Sequence, residues 1–347
     1  MSKSRPFFSI CIPAYNRAVF MRPLLDSIAE QNFADIEIVV CEDKSPEREL
    51  IRREISSFER FSSITILYIE NSENLGYDAN IRKLVEVSSG RFCFFMGNDD
   101  IMAVGALKTV HDILCSHADA GFVLKSYAWF DNVPERTNQE VRYFQDVRYF
   151  EPSVDSVALC FRRSGVISGF IVDRDLAFQA STDRFDGYLY YQMHLVAYVL
   201  ERAGAVTCPS VLVLCRNSEP PDFGASRAEA GVFTPGAYTV AARLKMLAGI
   251  SAILDHSESR GLVGIKQKVL RDYANYFFPY IRDQLDAPMR QYWMLYAGYC
   301  KLGYWRFAMF HFYMIICRVL GADNFDAITR FVRKKLGRTV QFGSIFK

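Results

Sequence analysis

Apolar and polar positions alternate in blocks along the first third of the chain. Residues 7–12 form a short apolar run rich in strand formers and closed by Pro13. Residues 36–41, 64–69 and 92–96 are three more such runs, each followed by polar turn residues. Between them, 19–30, 47–58 and 78–87 carry apolar residues at helical spacing, as with Met21, Leu24, Leu25 and Ile28. Strand alternating with helix at this spacing predicts βαβ units and a parallel sheet. The unbroken run 92–96 suits a strand buried on both faces. Beyond it the pattern predicts a helix over 104–117 and a strand over 121–130. Periodicity lapses from 131 to 152, as in an irregular or hairpin-like excursion. It returns as a helix over 154–162, an extended stretch over 165–172 and a helix over 188–202. An apolar strand over 206–215 follows, which Pro209 makes an edge strand or a bent one. Residues 217–236, with Pro220, Pro221, Gly224 and Pro235, read as a loop and a boundary. From 237 onward the pattern is helical. The expected organisation is therefore α/β over 1–130 and 131–235, with a helical extension over 236–347.

Composition narrows the function. Apolar residues make up 50% of the 347, enough for a large core, and the formal charge of +2 excludes a polyelectrolyte binder, so no nucleic-acid partner is expected. The nine cysteines are scattered without a Cys-x-x-Cys pair, and Cys11, Cys41 and Cys93 lie inside apolar runs, which fits a reducing cytosol. The N-terminus lacks the apolar core of a signal peptide, and no stretch of about twenty apolar residues free of charge is present.

Four polar clusters fall at the expected C-terminal ends of successive strands. They are Tyr15-Asn16, Glu42-Asp43, residues 74–78 and Asp99-Asp100. In series they build one polar crevice at one sheet edge, where open α/β sheets bind ligands. Neither the Gly-x-Gly-x-x-Gly fingerprint nor a P-loop occurs. A crevice that handles phosphate here would use a metal, and the hard carboxylates Asp99 and Asp100 suit Mg²⁺ or Mn²⁺.

These motifs carry a resemblance. Ser9 to Arg17 (SICIPAYNR) resembles the opening of family 2 glycosyltransferases of the GT-A fold. Residues 38–45 (IVVCEDKS) resemble the family's second strand and its acidic turn. Residues 74–80 (NLGYDAN) resemble its Asn-x-Gly motif, and 94–100 (FFMGNDD) its metal-binding Asp-x-Asp region. The forms Gly-Asn-Asp-Asp and Asn-Leu-Gly-Tyr-Asp-Ala-Asn look most like the abequosyltransferase-type branch, which builds bacterial surface polysaccharides. The match covers roughly the first 110 residues, in order.

The resemblance implies a GT-A fold with a mostly parallel central sheet and an inverting transfer from a nucleotide-diphospho-sugar to a glycan hydroxyl. The acceptor it implies is a lipid-linked glycan. It places Pro13, Tyr15 and Asn16 along the nucleotide pocket, Asp43 against base or ribose, Glu42 in shaping that turn, and Asp78 near the base. Asp99 would hold Mn²⁺ or Mg²⁺ on the diphosphate. Gly97 stands where the first Asp of the motif belongs, with Asn98 or Asp100 available to compensate. The general base would be a carboxylate before an aromatic-rich helix, Asp186 or Asp183, with Asp186 favoured. Arg216 and Arg227 are candidates to meet the diphosphate, Arg227 being somewhat better suited to a solvated loop. His194 reads as packed within its helix, and His111 and His117 as helix-surface residues.

Residues 304–320 crowd Trp305, Phe307, Phe310, Phe312 and Tyr313 ahead of Arg330, Arg333, Lys334, Lys335 and Arg338. This suits a helix lying in an anionic lipid interface, or equally one packed on the catalytic domain. The expected protein is a cytoplasmic glycosyltransferase, peripheral on the inner membrane face under the first of these two alternatives. The rivals are a degenerate relative that binds or assembles glycan and a sugar nucleotidyltransferase.

Overall fold

The computed structural model describes residues 5–217 and 220–336. The chain opens with β1 (Phe8–Ala14), α1 (Ala18–Ala29), β2 (Ile36–Glu42), α2 (Arg48–Glu59), β3 (Thr65–Glu70), α3 (Tyr77–Val87) and β4 (Phe92–Phe95). The short β5 (Ile101–Met102), α4 (Ala106–Ser116), β6 (Ala120–Phe130), β7 (Thr137–Val141) and β8 (Tyr149–Phe150) follow. Next come α5 (Val154–Phe161), β9 (Phe170–Asp173), α6 (Arg174–Gln179), α7 (Tyr191–Val199) and β10 (Gly204–Arg216). The rest is helical: α8 (Val240–Ser259), α9 (Ile265–Ala274), α10 (Met289–Lys301), α11 (Ala308–Leu320) and α12 (Ala322–Leu336).

The strands form one sheet in the order β3-β2-β1-β4-β9-β6-β10-β5, with β7 on β6 and β8 on β10. Strands β1 to β4 pair in parallel, and β6 pairs in parallel with β10. Strand β9 is antiparallel to both β4 and β6, so it joins the two groups with their directions matched. Six C-terminal strand ends, those of β1, β2, β3, β4, β6 and β10, therefore meet at one edge, together with the N-terminal end of β9. This is the α/β GT-A-like fold that the sequence leads one to expect, with a helical C-terminal region.

The unbroken apolar runs are explained by burial on both faces. Phe8, Ile10, Ile12, Ile38, Val40, Phe92 and Phe94 pack with Leu24, Leu25, Ile51 and Leu107 of α1, α2 and α4. Cys11, Val39, Cys41, Cys93 and Phe95 pack on the opposite face with Ile81, Val157 and Val196 of α3, α5 and α7. That second core continues into α8 to α11 through Leu247, Tyr273, Tyr299 and Phe310. A buried ion pair ties the helical region down: Asp272 of α9 accepts from Arg162 at 2.7 Å and Arg163 at 3.0 Å.

Several elements differ from the sequence expectation. Strand β1 runs through Pro13 instead of stopping there. The Met96 N–H donates to the Cys11 carbonyl, so Pro13, two residues on, faces the side on which β4 has already ended, and its missing N–H leaves no ladder bond unmade. Pro209 makes β10 bent rather than an edge: the pairing with β6 shifts register between Thr207 and Val211 while β10 stays interior. Between 131 and 152 lies a hairpin, β7 folding back on β6. Helix α6, six residues long and capped by Asp173 on the Leu176 N–H, is too short for periodicity to reveal.

Candidate active site

The six strand ends enclose a cleft of about 480 Å³. Pro13, Tyr15, Asp43, Asn74, Gly76 and Tyr77 line it at the β1–β3 side. Gly97, Asn98, Asp99 and Asp100 lie at its centre, and Trp129, Val166, Ile167, Ser168, Cys215 and Arg216 at the β9–β6–β10 side. The loop between β10 and α8 contributes Pro221, Asp222, Phe223, Glu229 and Tyr238. Of the residues expected from sequence, the structure thus brings together Pro13, Tyr15, Asp43, Asn98, Asp99, Asp100 and Arg216.

At the end of β2 two adjacent carboxylates divide the work. Glu42 points away from the cleft and accepts the Lys44 and Ser45 N–H groups at 3.0 and 2.6 Å, and Arg48. It fixes the turn that aims Asp43 into the cleft. Asp43 accepts the Leu75 and Gly76 N–H groups at 2.8 and 2.9 Å and the Asn71 amide at 2.8 Å. Burial still pushes its pKa up. Gly76 has φ +84°, and a Cβ there would meet the Ser226 Oγ at 2.5 Å, so only glycine lets the loop over the cleft close on this turn.

At the end of β4 the Asp99 carboxylate pairs with Arg17 at 2.7 Å. Asp100 is more enclosed: its Oδ1 accepts the Arg216 N–H at 2.7 Å and its Oδ2 accepts the Ser168 hydroxyl. Burial, then the neighbouring Asp99 charge, raises its pKa to about 7. Behind it Lys125 is buried, its pKa lowered to about 7 by burial, and its ammonium donates to the Val166 carbonyl. A Cβ on Gly97 would lie 2.9 Å from Asp100 Oδ2 and 3.3 Å from Asp99 Oδ1. The glycine therefore makes room for the two carboxylates that follow it.

Arg17 is the chief residue missed by sequence reasoning. Asn16 and Arg17 both have positive φ, 53° and 62°, in the turn before α1. Strain of this kind gathers at functional sites, and here it aims a guanidinium at Asp99. The only sequence signal is Asn16, a residue tolerant of that conformation. Asn16 itself lies behind the lining, donating to Asp222 at 2.6 Å and accepting from the Asn98 amide at 2.8 Å. Glu229, also missed, accepts the Tyr77 and Gly224 N–H groups at 2.8 and 2.9 Å and so closes the loop on α3.

Three expected site residues stand elsewhere. Asp78 does not line the cleft: its carboxylate accepts the N–H groups of Tyr188, Leu189 and Tyr191 at 2.8–2.9 Å and holds the entry to α7. Asp186 also lies off the cleft, bound by both terminal nitrogens of Arg82 at 2.5 and 3.0 Å. Asp183 is exposed and outside the lining. A base must reach the proton it removes, and neither Asp186 nor Asp183 is among the residues that line the cleft. Arg227 is exposed and off the cleft. His194 is packed, its Nε2 2.8 Å from the Ala180 carbonyl, with burial lowering its pKa to about 4.

A mostly parallel sheet with two adjacent carboxylates at a central strand end and a cleft over six strand ends defines a GT-A-like domain. Residues 9–170 match the model of Glycosyl transferase family 2, which makes that segment, just under half of the chain, a domain of this family. It is 27% identical over 222 residues to the abequosyltransferase RfbV of Salmonella typhimurium, covering 60% of this chain and 66% of the relative. It is 27% identical over 105 residues to the GalNAc(5)-diNAcBac-PP-undecaprenol beta-1,3-glucosyltransferase of Campylobacter jejuni, covering 30% and 33%. The matches thus span just under two thirds of the first relative and a third of the second. S. aureus TarS 1-349, in complex with UDP-GlcNAc, shares the fold with a TM-score of 0.61 at 13% identity, covering 95% of this chain and 92% of that one.

Proposed function

We propose that this chain is a glycosyltransferase that moves a sugar from a nucleotide-diphospho-sugar to a hydroxyl of a lipid-linked glycan. In this reading it works at the cytoplasmic face of a membrane and inverts the donor's anomeric carbon. The observation that carries the reading is the single cleft in which the family segment places Asp43, Asp99 and Arg17 together. The relatives' names support it: one is an abequosyltransferase, and the other's name carries a PP-undecaprenol acceptor.

In this reading the substrates follow the order of the strands. The nucleotide lies by Pro13, Tyr15, Asp43 and Tyr77, the diphosphate by Arg17, Asp99 and Arg216, and the acceptor sugar by Trp129, Val166 and Ile167. Among the described residues no group of three or more His, Cys, Asp or Glu side chains could hold a metal ion by itself. Mg²⁺ typically takes one or two carboxylates and completes its shell with substrate phosphates and water. Asp99, with Asp100 beside it, fits that mode for Mg²⁺ or Mn²⁺. The ion, when bound, supplies Lewis-acid stabilisation of the charge on the departing diphosphate. Arg17, released from Asp99, pairs with phosphate oxygens.

The acceptor oxygen bonds to the anomeric carbon as the carbon–oxygen bond to the diphosphate breaks. The electron pair leaves with the nucleoside diphosphate, and the hydroxyl proton passes to a carboxylate. We assign that role to Asp222, which lines the cleft. Asp43 and Glu229 are each held by two backbone N–H groups, whereas the bond from Asn16 is the only one to Asp222 among the described residues.

Nucleoside diphosphate release is expected when the protein is given its nucleotide sugar, a divalent ion and a glycan acceptor. Donor binding without turnover would favour a glycan-binding or assembly subunit. Nucleotide-sugar synthesis from a sugar phosphate and a nucleoside triphosphate would favour a nucleotidyltransferase. Asp222→Asn should lower kcat by about 10²-fold with donor affinity kept, and Asp186→Asn should leave kcat within about threefold of wild type. The opposite pattern would return the role to Asp186.

A further inference from the structure

Among the described residues no helix is long and apolar enough to cross a membrane. The helical region nevertheless carries an unusual surface. On α11 the buried side is apolar, with Phe310, Tyr313, Met314 and Cys317. Its outward side is apolar as well. Ala308, Phe312, Ile315 and Val319 follow one another at helical spacing, the last three 50, 63 and 74% exposed. A surface helix ordinarily turns polar residues outward. Phe310, expected from sequence to insert into lipid, belongs to the core instead, and Phe307 is half-buried against it.

The stripe has aromatic neighbours. Two of the chain's three tryptophans, Trp293 and Trp305, are exposed. Trp293 meets Tyr296 edge-on at 5.4 Å, and Tyr296 stacks on Phe310 at 5.6 Å. The Tyr296 hydroxyl pairs with His311 Nδ1 at 3.0 Å, and His311 Nε2 with the Trp305 carbonyl at 2.8 Å. Both tryptophans therefore lie around one side of α11. On α12, Ile328 and Phe331 are also exposed.

The border of this face is cationic. Arg306 covers the Trp305 ring at 5.3 Å, Arg318 covers Tyr292 at 5.1 Å, and Arg290 and Lys301 are exposed. On α12 Asp326 is held by Arg282 at 2.7 Å and Asp323 is exposed, while on the α8 side Asp255, paired with Lys266 at 2.6 Å, and Glu258 share a pocket with Lys301 and Arg306. The basic positions expected from sequence to continue this border, Arg330, Arg333, Lys334, Lys335 and Arg338, lie outside the residues whose side chains are described.

We infer that α10, α11 and α12 present a docking face for an anionic lipid surface, with Phe312, Ile315 and Val319 at the acyl boundary and the cations among the headgroups. Trp293 and Trp305 suit the zone between, since indole is apolar in body and polar at its N–H. Charge selects this occupant over a second copy of the chain. Pairing two such faces would set Arg290, Lys301, Arg306 and Arg318 against their own counterparts, whereas an anionic leaflet neutralises them. Apolar insertion and charge attraction act as two separate signals, as stable peripheral binding requires. The inference deepens the membrane-face part of the proposed reading, but no residue of this face lines the cleft, so docking can fail without transfer failing.

The test is co-sedimentation of the full chain with vesicles of phosphatidylcholine alone and of equal parts phosphatidylcholine and phosphatidylglycerol. Wild type should bind the anionic vesicles, with tryptophan emission shifting to the blue. Phe312→Ser with Ile315→Ser and Val319→Ser should lower the partition coefficient by at least about tenfold. Arg290→Gln with Lys301→Gln, Arg306→Gln and Arg318→Gln should remove the preference for phosphatidylglycerol. All seven positions are at the surface, so thermal melting and donor turnover on a soluble acceptor should match wild type in both variants. Wild type that ignores anionic vesicles, or a serine variant that binds them equally well, would overturn the proposal. So would a dimer that the serine variant converts to monomers, because the face would then be a subunit contact.

Discussion

Asp99→Ala is expected to lower transfer by about 10³-fold or more while the protein keeps its melting temperature. The carboxylate sits at a strand end, not in the core, and its partner Arg17 is partly solvated and remains so when the pair is lost. In the proposed mechanism, what disappears is the negative oxygen that would hold the divalent ion against the diphosphate. The loss should therefore appear as abolished dependence of donor binding on Mn²⁺ together with lost turnover. A variant that retains Mn²⁺-dependent donor binding would show that the ion is held elsewhere. Asp100→Ala should behave differently. Asp100 accepts from Ser168 and from the Arg216 N–H, so its removal loosens the junction of β4, β9 and β10. Its effect should be visible in melting as well as in turnover.

The second large effect is on stability. Asp78→Ala should cost about 3–5 kcal/mol, because three buried N–H groups lose their acceptor at once. The cost has a second source in Leu189, a bulky residue held at φ 64° with its N–H on Asp78. Without that bond the strained turn has nothing to hold it. Urea denaturation measures the change directly, and a loss under about 1 kcal/mol would show that water replaces the carboxylate. Asp78 also sets a pH dependence. Burial raises its pKa to about 7 from the ordinary 3.8, outweighing the three N–H bonds that lower it. The folded state thus holds the proton more tightly than the unfolded chain. Its contribution to stability is complete below about pH 4 and falls as pH rises toward 7. Asp78→Ala should flatten that slope.

The sheet was legible in the sequence because its strands are buried on both faces and so read as unbroken apolar runs. The positions of Asp43, Asp99 and Asp100 followed, since each lies immediately after such a run. Arg17 was not legible: it reaches the cleft through a backbone turn at positive φ, which no periodicity reports. Asp222 and Glu229 were hidden for another reason. Their loop has no periodicity of its own, and its place over the cleft depends on contacts with Asn16 and Tyr77, far away in sequence. Asp186 and Asp78 show the reverse situation, since the structure gives each of them partners outside the cleft. Acidic residues beside a helix start look like chemistry in one dimension, yet Arg82 and three backbone N–H groups have claimed them. On α11 the composition was informative but the facing was not, because a helix apolar on both sides does not announce which residues are inside.

The antiparallel insertion of β9 between β4 and β6 has a consequence for how the chain acquires its shape during synthesis. Strands β1 to β4 can pair as soon as residue 95 has emerged, but Phe95 must wait for Phe170 before its other side is closed. Until then β4 has an open edge, and β6 has neither β9 nor β10 beside it. Open edges of this kind template pairing with other chains, and non-local pairing slows folding. A fragment ending at residue 130 should therefore aggregate on release instead of folding as a nucleotide-binding half. Extension past β10 should restore a soluble, cooperatively melting product.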